Sequence, residues 1–403
     1  MAIILYPIVI GSFAFCNYLK KGMNVSSFIL TMYFISSLCG AYLHYFNPDY
    51  INISISIEAV LHHLICLLLF LFPIVYFGNR LDFVNLFKYK NLKLIAFCVI
   101  LFALIGILGD IPNYYLVFTQ PSLAAARVLN VEGELVVRSS GGILSYIVAI
   151  GRIGSLLCIF LFFYFKSFGY STKLVPCLLI ASLTTLSSNI LAAGRAETFR
   201  YIYQVAICYI IFKPYIGTLS KKIVVSLSFI VTIFLVFVYF VTASRFGSSN
   251  VLDNIIDYLG QSFPNYSLFY ERFQEPLFWG AKNFSGFFPS EYRVSSLDLN
   301  NAVHANFYLN VFATFVGAFL LDFGHLGTLI FSLFYCIIFF ILFKSGINLF
   351  IKWICFIYAC DVTLYGVFYY YLSSSTSLLS LIALFFICIV LYSNIIYFFK
   401  IKI

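Results

Sequence analysis

The stretch IVVSLSFIVTIFLVFVYFVTASRFGSS, residues 223–249, decides the fold. Its first part, 223–243, is uncharged and as long as the roughly 20 apolar residues that one helix needs to cross a bilayer core. SRFGSS, Ser244–Ser249, then opens a polar segment of 63 residues, 244–306. On both sides of it the chain repeats one pattern, long apolar runs joined by short polar links. Counting outward, the runs are 2–19, 25–46, 57–77, 93–111, 143–165, 174–193, 198–212, 223–243, 326–343, 353–371 and 378–398. Residues 198–212 are the weakest of these, being short and carrying Arg200 and Gln204. The apolar run 307–322 is also short, so it reads as a re-entrant or half-buried helix, or as a twelfth span.

Composition agrees. The chain is 63% hydrophobic and 10% charged, with mean hydropathy +1.01. A soluble domain cannot hide that much apolar surface. The expected fold is therefore an all-α, polytopic helical integral membrane protein of about 11 spans, 11–12 if 307–322 crosses. Residues 1–403 read as one membrane domain, with the large loop and its re-entrant segment, 244–325, inserted in it. The net charge of +9 does not point to nucleic acid, because the basic residues sit at helix ends. All eleven cysteines lie in apolar runs, with no CxxC, and read as small packing residues rather than disulfides or metal ligands. Residues 1–19 lack a basic leader, so the first run reads as a retained helix rather than a cleaved signal peptide.

Lysine sets the parity. Lys20/Lys21, Lys88/Lys90/Lys93, Lys166/Lys173, Lys213/Lys221/Lys222, Lys344/Lys352 and Lys400/Lys402 mark alternate connections as cytoplasmic. The pattern holds if 307–343 crosses once, which puts Asp322 and Gly324 near the outer face. The outer connections are then 47–56, 112–142, 194–197, 244–325 and 372–377. Within the largest, Asn250 is a candidate N-cap for VLDNIIDYL and Gly260 a candidate stop. Val251, Leu252, Ile255, Ile256 and Leu259 share one face of that short helix.

With this topology 14 of the 15 lysines face the cytoplasm, Lys282 being the exception, whereas 8 of the 9 arginines lie outside or within the membrane. Arginine offers a rigid fork of donors that fits phosphate and carboxylate. Outward arginine therefore suggests an anionic ligand, with pairing to the outward carboxylates as the plain alternative. Arg152 lies well inside its span, where a charge is costly and usually faces water; Asp361 is a candidate ion-pair partner. Arg195 and Arg200 bracket the start of a helix, whose exposed N–H groups favour anions. Arg245 opens the large loop, and Arg127 lies in the 112–142 outer loop near Glu132 and Glu134.

Among the histidines, His304 stands beside Asn300, Asn301 and Asn306, where the large loop returns to the membrane. Its neutral imidazole could take a proton from a sugar hydroxyl. His62 and His63 either line a cavity or act as donors between helices; His44 and His325 read as bland. The loop aromatics Trp279, Tyr266, Tyr270 and Tyr292 suit sugar stacking and interfacial anchoring equally. No metal-ligand spacing or phosphate-binding glycine loop is present, so neither metal nor nucleotide cofactor is expected.

Four short motifs carry a resemblance: Gly194-Arg195-Ala196-Glu197, Ser244-Arg245-Phe246-Gly247, Asn306-Phe307-Tyr308 and Asp322-Phe323-Gly324-His325-Leu326-Gly327. In layout the chain resembles Wzy-type polymerases of bacterial surface polysaccharides. The family often has a basic residue between the Asn and the DFG; residues 307–321 hold none. The resemblance implies a GT-C-like polymerase or ligase fold in the bacterial inner membrane, with its active site facing the periplasm. It implies oligosaccharide on undecaprenyl pyrophosphate as substrate, a chain-length regulator as partner, and metal-independent, inverting glycosyl transfer. Under it Arg195 and Arg245 hold pyrophosphate with Arg152 deeper, and Arg127 and Arg200 nearby. His304 is the base, with Glu197 and Asp322 as substitutes. The rivals are an O-antigen ligase and a flippase or transporter of a lipid-linked oligosaccharide; no inverted repeat favours the latter.

Overall fold

The computed structural model describes residues 2–78, 80–81, 89–121, 125, 143–170, 173–191, 196–217, 225, 228–229, 232–233, 235–236, 239–240, 251–273, 277–289, 292 and 312–392. Among these, every regular element is helical. The longer helices are α1 (Leu5–Lys21), α2 (Val25–Phe46), α3 (Ile57–Gly78), α4 (Tyr89–Phe118), α5 (Ile143–Ile153), α6 (Ser155–Ser167) and α7 (Leu174–Ser182). They continue with α8 (Thr184–Leu191), α9 (Ala196–Ile216), α10 (Val251–Gly260), α11 (Ser262–Arg272), α12 (Thr314–Lys344), α13 (Leu349–Tyr365) and α14 (Ser375–Tyr392). Among the described residues five helices are long and apolar enough to cross a membrane, or six if α5 and α6, bent by 42°, form one span. Helices are the natural solution here, because each satisfies its own backbone polar groups without water. The chain is a helical membrane protein.

Two compact units make up the chain. The first comprises Met1–Asp82, Leu252–Asn348 and Cys355–Leu378. In it α12 packs along α3, and α11 lies against α2, α3 and α12. Lipid tails are as apolar as leucine, so close backbone approach and ring packing take over from the hydrophobic effect. Two glycines show this. A Cβ on Gly260 would sit 2.5 Å from the Cys39 carbonyl carbon, and one on Gly40 would sit 2.9 Å from the Gly260 carbonyl oxygen. The Ser36 hydroxyl donates to the Leu259 carbonyl at the same crossing. Gly260 does end α10, as expected, but it is also the residue that lets α10 touch α2. The buried edge of α10 is Tyr258 and Gly260, whereas Ile255, on the expected apolar face, is 43% exposed.

Helix α11 departs most from expectation. Its sequence, SFPNYSLFYER, reads as polar loop, yet Ser262–Phe269 are all buried. The run 307–322 is described from Phe312 onward, and α12 begins at Thr314. Gly324 breaks α12 with φ 66° and ψ −172°. The first arm, 314–323, is about 15 Å long at 1.5 Å per residue, too short to cross. It is buried almost throughout.

The second unit comprises Phe83–Val251, Leu349–Ile354 and Leu379–Ile403. Two expected spans are interrupted in it. The 143–165 run breaks at Gly154, and the 174–193 run breaks at Leu183. Thr184 and Thr185 cross to the first break, donating to the carbonyls of Gly151 at 3.3 Å and Arg152 at 3.4 Å. Helix α9 covers the expected 198–212 and runs longer, but it does not meet the apolar criterion for a span.

Candidate functional site

In the first unit every residue of Asp322–Gly327 except Leu326 has a packing or bonding task. The Asp322 side chain is fully buried at the Gly324 bend. Its Oδ1 accepts the Lys282 N–H at 3.1 Å and its Oδ2 the Asn283 N–H at 2.9 Å. Its carbonyl accepts the Trp279 N–H at 2.9 Å. Asn283 Nδ2 adds a bond to the Ala318 carbonyl at 2.7 Å. Together these dock the turn 279–284 onto α12. Phe323 stacks on Phe331 at 5.2 Å between centroids. Only glycine suits 324, where φ is positive and a Cβ would press on Leu277 Cδ2 at 3.0 Å. Thr328 Oγ1 donates to the Gly324 carbonyl at 2.7 Å, and a Cβ on Gly327 would fall 2.8 Å from the Phe323 Cβ.

The Asp322 carboxylate, named from sequence as a substitute base, has no exposed surface and takes a backbone N–H bond on each oxygen, so it holds this turn in place. What it positions is a turn carrying Lys282, half-buried, and Trp279, 71% exposed. Burial pulls the Lys282 ammonium down to about 8, while the Asp322 carboxylate pulls it back up.

Below that turn is a knot of histidine and tyrosine. His62 Nε2 lies 2.8 Å from the His325 carbonyl, which can only accept, so the nitrogen is the donor. In the neutral ring Nδ1 then accepts from the Tyr266 hydroxyl at 2.7 Å. His325 Nε2 donates to the Tyr270 carbonyl at 2.9 Å. His63, fully buried, contacts the Tyr6 hydroxyl and Thr314 Oγ1, each at 3.0 Å, and stacks on Tyr266 at 4.0 Å. Burial holds the Tyr266 phenol well above its usual range. Of the two roles open to His62 and His63, the one seen is that of helix-to-helix donors. His325, read as bland, ties α12 to α11. The adjacent histidines at 62–63 were the only sequence signal for this knot.

In the second unit Arg152 Nη2 bonds Asp110 Oδ2 at 2.6 Å. Asp361, the partner expected from sequence, belongs to the first unit and accepts from the Tyr371 hydroxyl at 2.7 Å. Local packing explains the Asp110 pairing. A Cβ on Gly151 would meet the Phe102 carbonyl oxygen at 2.6 Å, so α5 and α4 nearly touch there. Gly106 and Gly109 lie opposite Val148. The two helices therefore run antiparallel, and helical side chains lean toward their own N-terminus. Arg152 accordingly reaches back along α4 to Asp110. The Asp110 side chain is 7% exposed and that of Arg152 37%. Arg152 Nε is buried and finds no partner among the described residues. The guanidinium thus keeps donors beyond the one spent on Asp110.

Arg200 Nη1 pairs with Glu197 Oε2 at 3.3 Å, with side-chain exposures of 7% and 24%. Two candidates, a base and a phosphate ligand, are therefore engaged with each other. Arg195, Arg245, Arg127 and His304 lie outside the described residues. Among the described residues no group of three or more His, Cys, Asp or Glu is placed to hold a metal ion. Comparisons with protein-family models, curated proteins and solved structures return no match for this chain.

Proposed function

We propose that this chain is a glycosyltransferase that polymerises repeat units of a bacterial surface polysaccharide. It would move the growing glycan from undecaprenyl pyrophosphate to a new lipid-linked unit at the outer face of the inner membrane. This includes the finer topology: eleven crossings, a GT-C-like arrangement, and a large loop on the periplasmic side. The observation that supports it is Arg152. Its guanidinium lies in an apolar helix pair, is countered by one carboxylate, and retains donors that carboxylate does not use. A pyrophosphate leaving group needs fixed positive charge aimed where negative charge develops. The eight arginines that the lysine parity would put outside or within the membrane would supply the same chemistry along the chain. His304 is the proposed base for the acceptor hydroxyl, with Glu197 and Asp322 as substitutes.

The test is a glycan ladder from the producing cell. Arg195→Ala, Arg245→Ala and Arg152→Ala should each abolish long chains while leaving lipid capped with a single repeat. Normal ladders from all three would remove the proposal. Loss of the single repeat as well would favour the ligase.

A further inference from the structure

We propose that the 279–284 turn is a membrane-interface anchor, with the Trp279 indole seated among phospholipid headgroups at the level of the Gly324 bend. Three observations lead there. The first is strain without burial. Trp279 has φ 49°, a left-handed conformation that glycine adopts freely and tryptophan does not. Packing within the chain does not compensate, since the residue is 71% exposed. The backbone at Trp279 is held in place by its own N–H bond to the Asp322 carbonyl and by the two backbone bonds from 282 and 283 to the carboxylate. A large side chain kept where the backbone favours glycine points to a partner outside the chain.

The second observation is where the lipid-facing stripe of α12 begins. Leu326, Ile330, Leu333, Phe334, Ile337 and Ile341 are 71, 59, 50, 58, 47 and 64% exposed, and their spacing puts them on one helical face. The stripe starts one helical turn past Asp322, the residue that holds Trp279. The third is its far end. Lys344 closes α12, exposed, with its ammonium 5.9 Å from the Phe340 ring. Leu326 to Lys344 spans about 27 Å at 1.5 Å per residue, close to the roughly 30 Å of a bilayer core. A stripe of that length with lysine at one end and tryptophan at the other matches the two interfaces of a membrane. Exposed Phe287 and Tyr292, at 59 and 63%, follow in the same loop. This inference rests on the membrane character of the chain and not on the reaction it catalyses.

The chain has two tryptophans, and Trp353 is 4% exposed, so Trp279 can be isolated spectroscopically. Trp353→Phe would be reconstituted into phosphatidylcholine vesicles carrying bromine near the headgroup or near the chain ends. The expected result is blue-shifted emission, quenched more by the shallow bromines than by the deep ones and little by aqueous iodide. If Trp353→Phe does not fold, the emission of the unaltered chain minus that of Trp279→Phe gives the same spectrum. Full iodide quenching without bromine sensitivity would overturn the proposal, and so would stronger quenching by the deep bromines. Emission that answers to added oligosaccharide but not to bromolipid would overturn it in favour of a sugar-stacking platform.

Discussion

Replacing Asp322 by alanine removes the acceptor from two backbone donors at once, the Lys282 and Asn283 N–H groups. A buried donor left unsatisfied costs about 1–3 kcal/mol, so the pair costs about 2–6 kcal/mol. The turn can escape much of that by undocking into water, so the effect should be local. With each 1.4 kcal/mol worth a factor of about ten, opening of the turn should rise by about 30-fold or more. Asp322→Asn keeps one acceptor oxygen and turns an NH₂ toward the other donor, for about 1–3 kcal/mol, or roughly 5–150-fold. The assay is hydrogen exchange at the 282 and 283 amides in reconstituted vesicles, with proteolysis between 277 and 289 as a second readout. The expected order of opening is Ala above Asn above the unaltered chain. Under the proposed function, glycan synthesis should fall in the same order, because the carboxylate acts through the turn. Unchanged exchange in both variants together with complete loss of synthesis would refute the clamp and restore Asp322 as a proton acceptor.

Three further outcomes follow from the geometry. Asp110→Asn should destabilise the second unit by about 1–3 kcal/mol, less than a fully buried pair because Arg152 is 37% accessible. In a double-mutant cycle with Arg152→Gln, unfolding in detergent should show coupling; additive losses would mean the pair contributes nothing. Gly260→Ala drives a methyl into the Cys39–Gly40 backbone and should cost about 1–3 kcal/mol, read as a lower unfolding temperature, whereas an exposed glycine would tolerate the change. Lys282 titrates near 8 in the fold against its ordinary 10.5, so the unfolded chain binds more protons between those values. Its contribution to stability should therefore rise with pH across that window and stay flat below it. Lys282→Met, compared with the unaltered chain by denaturation at several pH values, should abolish that rise. Asp322→Asn should move the Lys282 titration lower still, since the carboxylate is what raises it.

Much of the first unit was legible in the chain itself. The runs 25–46 and 57–77 coincide with Val25–Phe46 and Ile57–Gly78, because an apolar helix needs only its own residues to satisfy its backbone. The DFG stretch could be marked as a place of consequence, but not its role. An aspartate that receives a proton and one that grips backbone N–H groups are written with the same letter.

Composition alone determined that this is a helical membrane protein and roughly where its apolar helices lie. Tertiary structure decided which polar groups meet. Helix α11 is buried although its residues read as loop, since a membrane protein's interior is not set apart from its lipid face by hydropathy. His62 finds Tyr266 across 204 residues of sequence, and Arg152 finds Asp110 because glycines bring α4 and α5 together. Hydropathy is a local property of the chain, whereas a buried hydrogen bond needs two distant segments at one distance and one orientation, which no single stretch of sequence records.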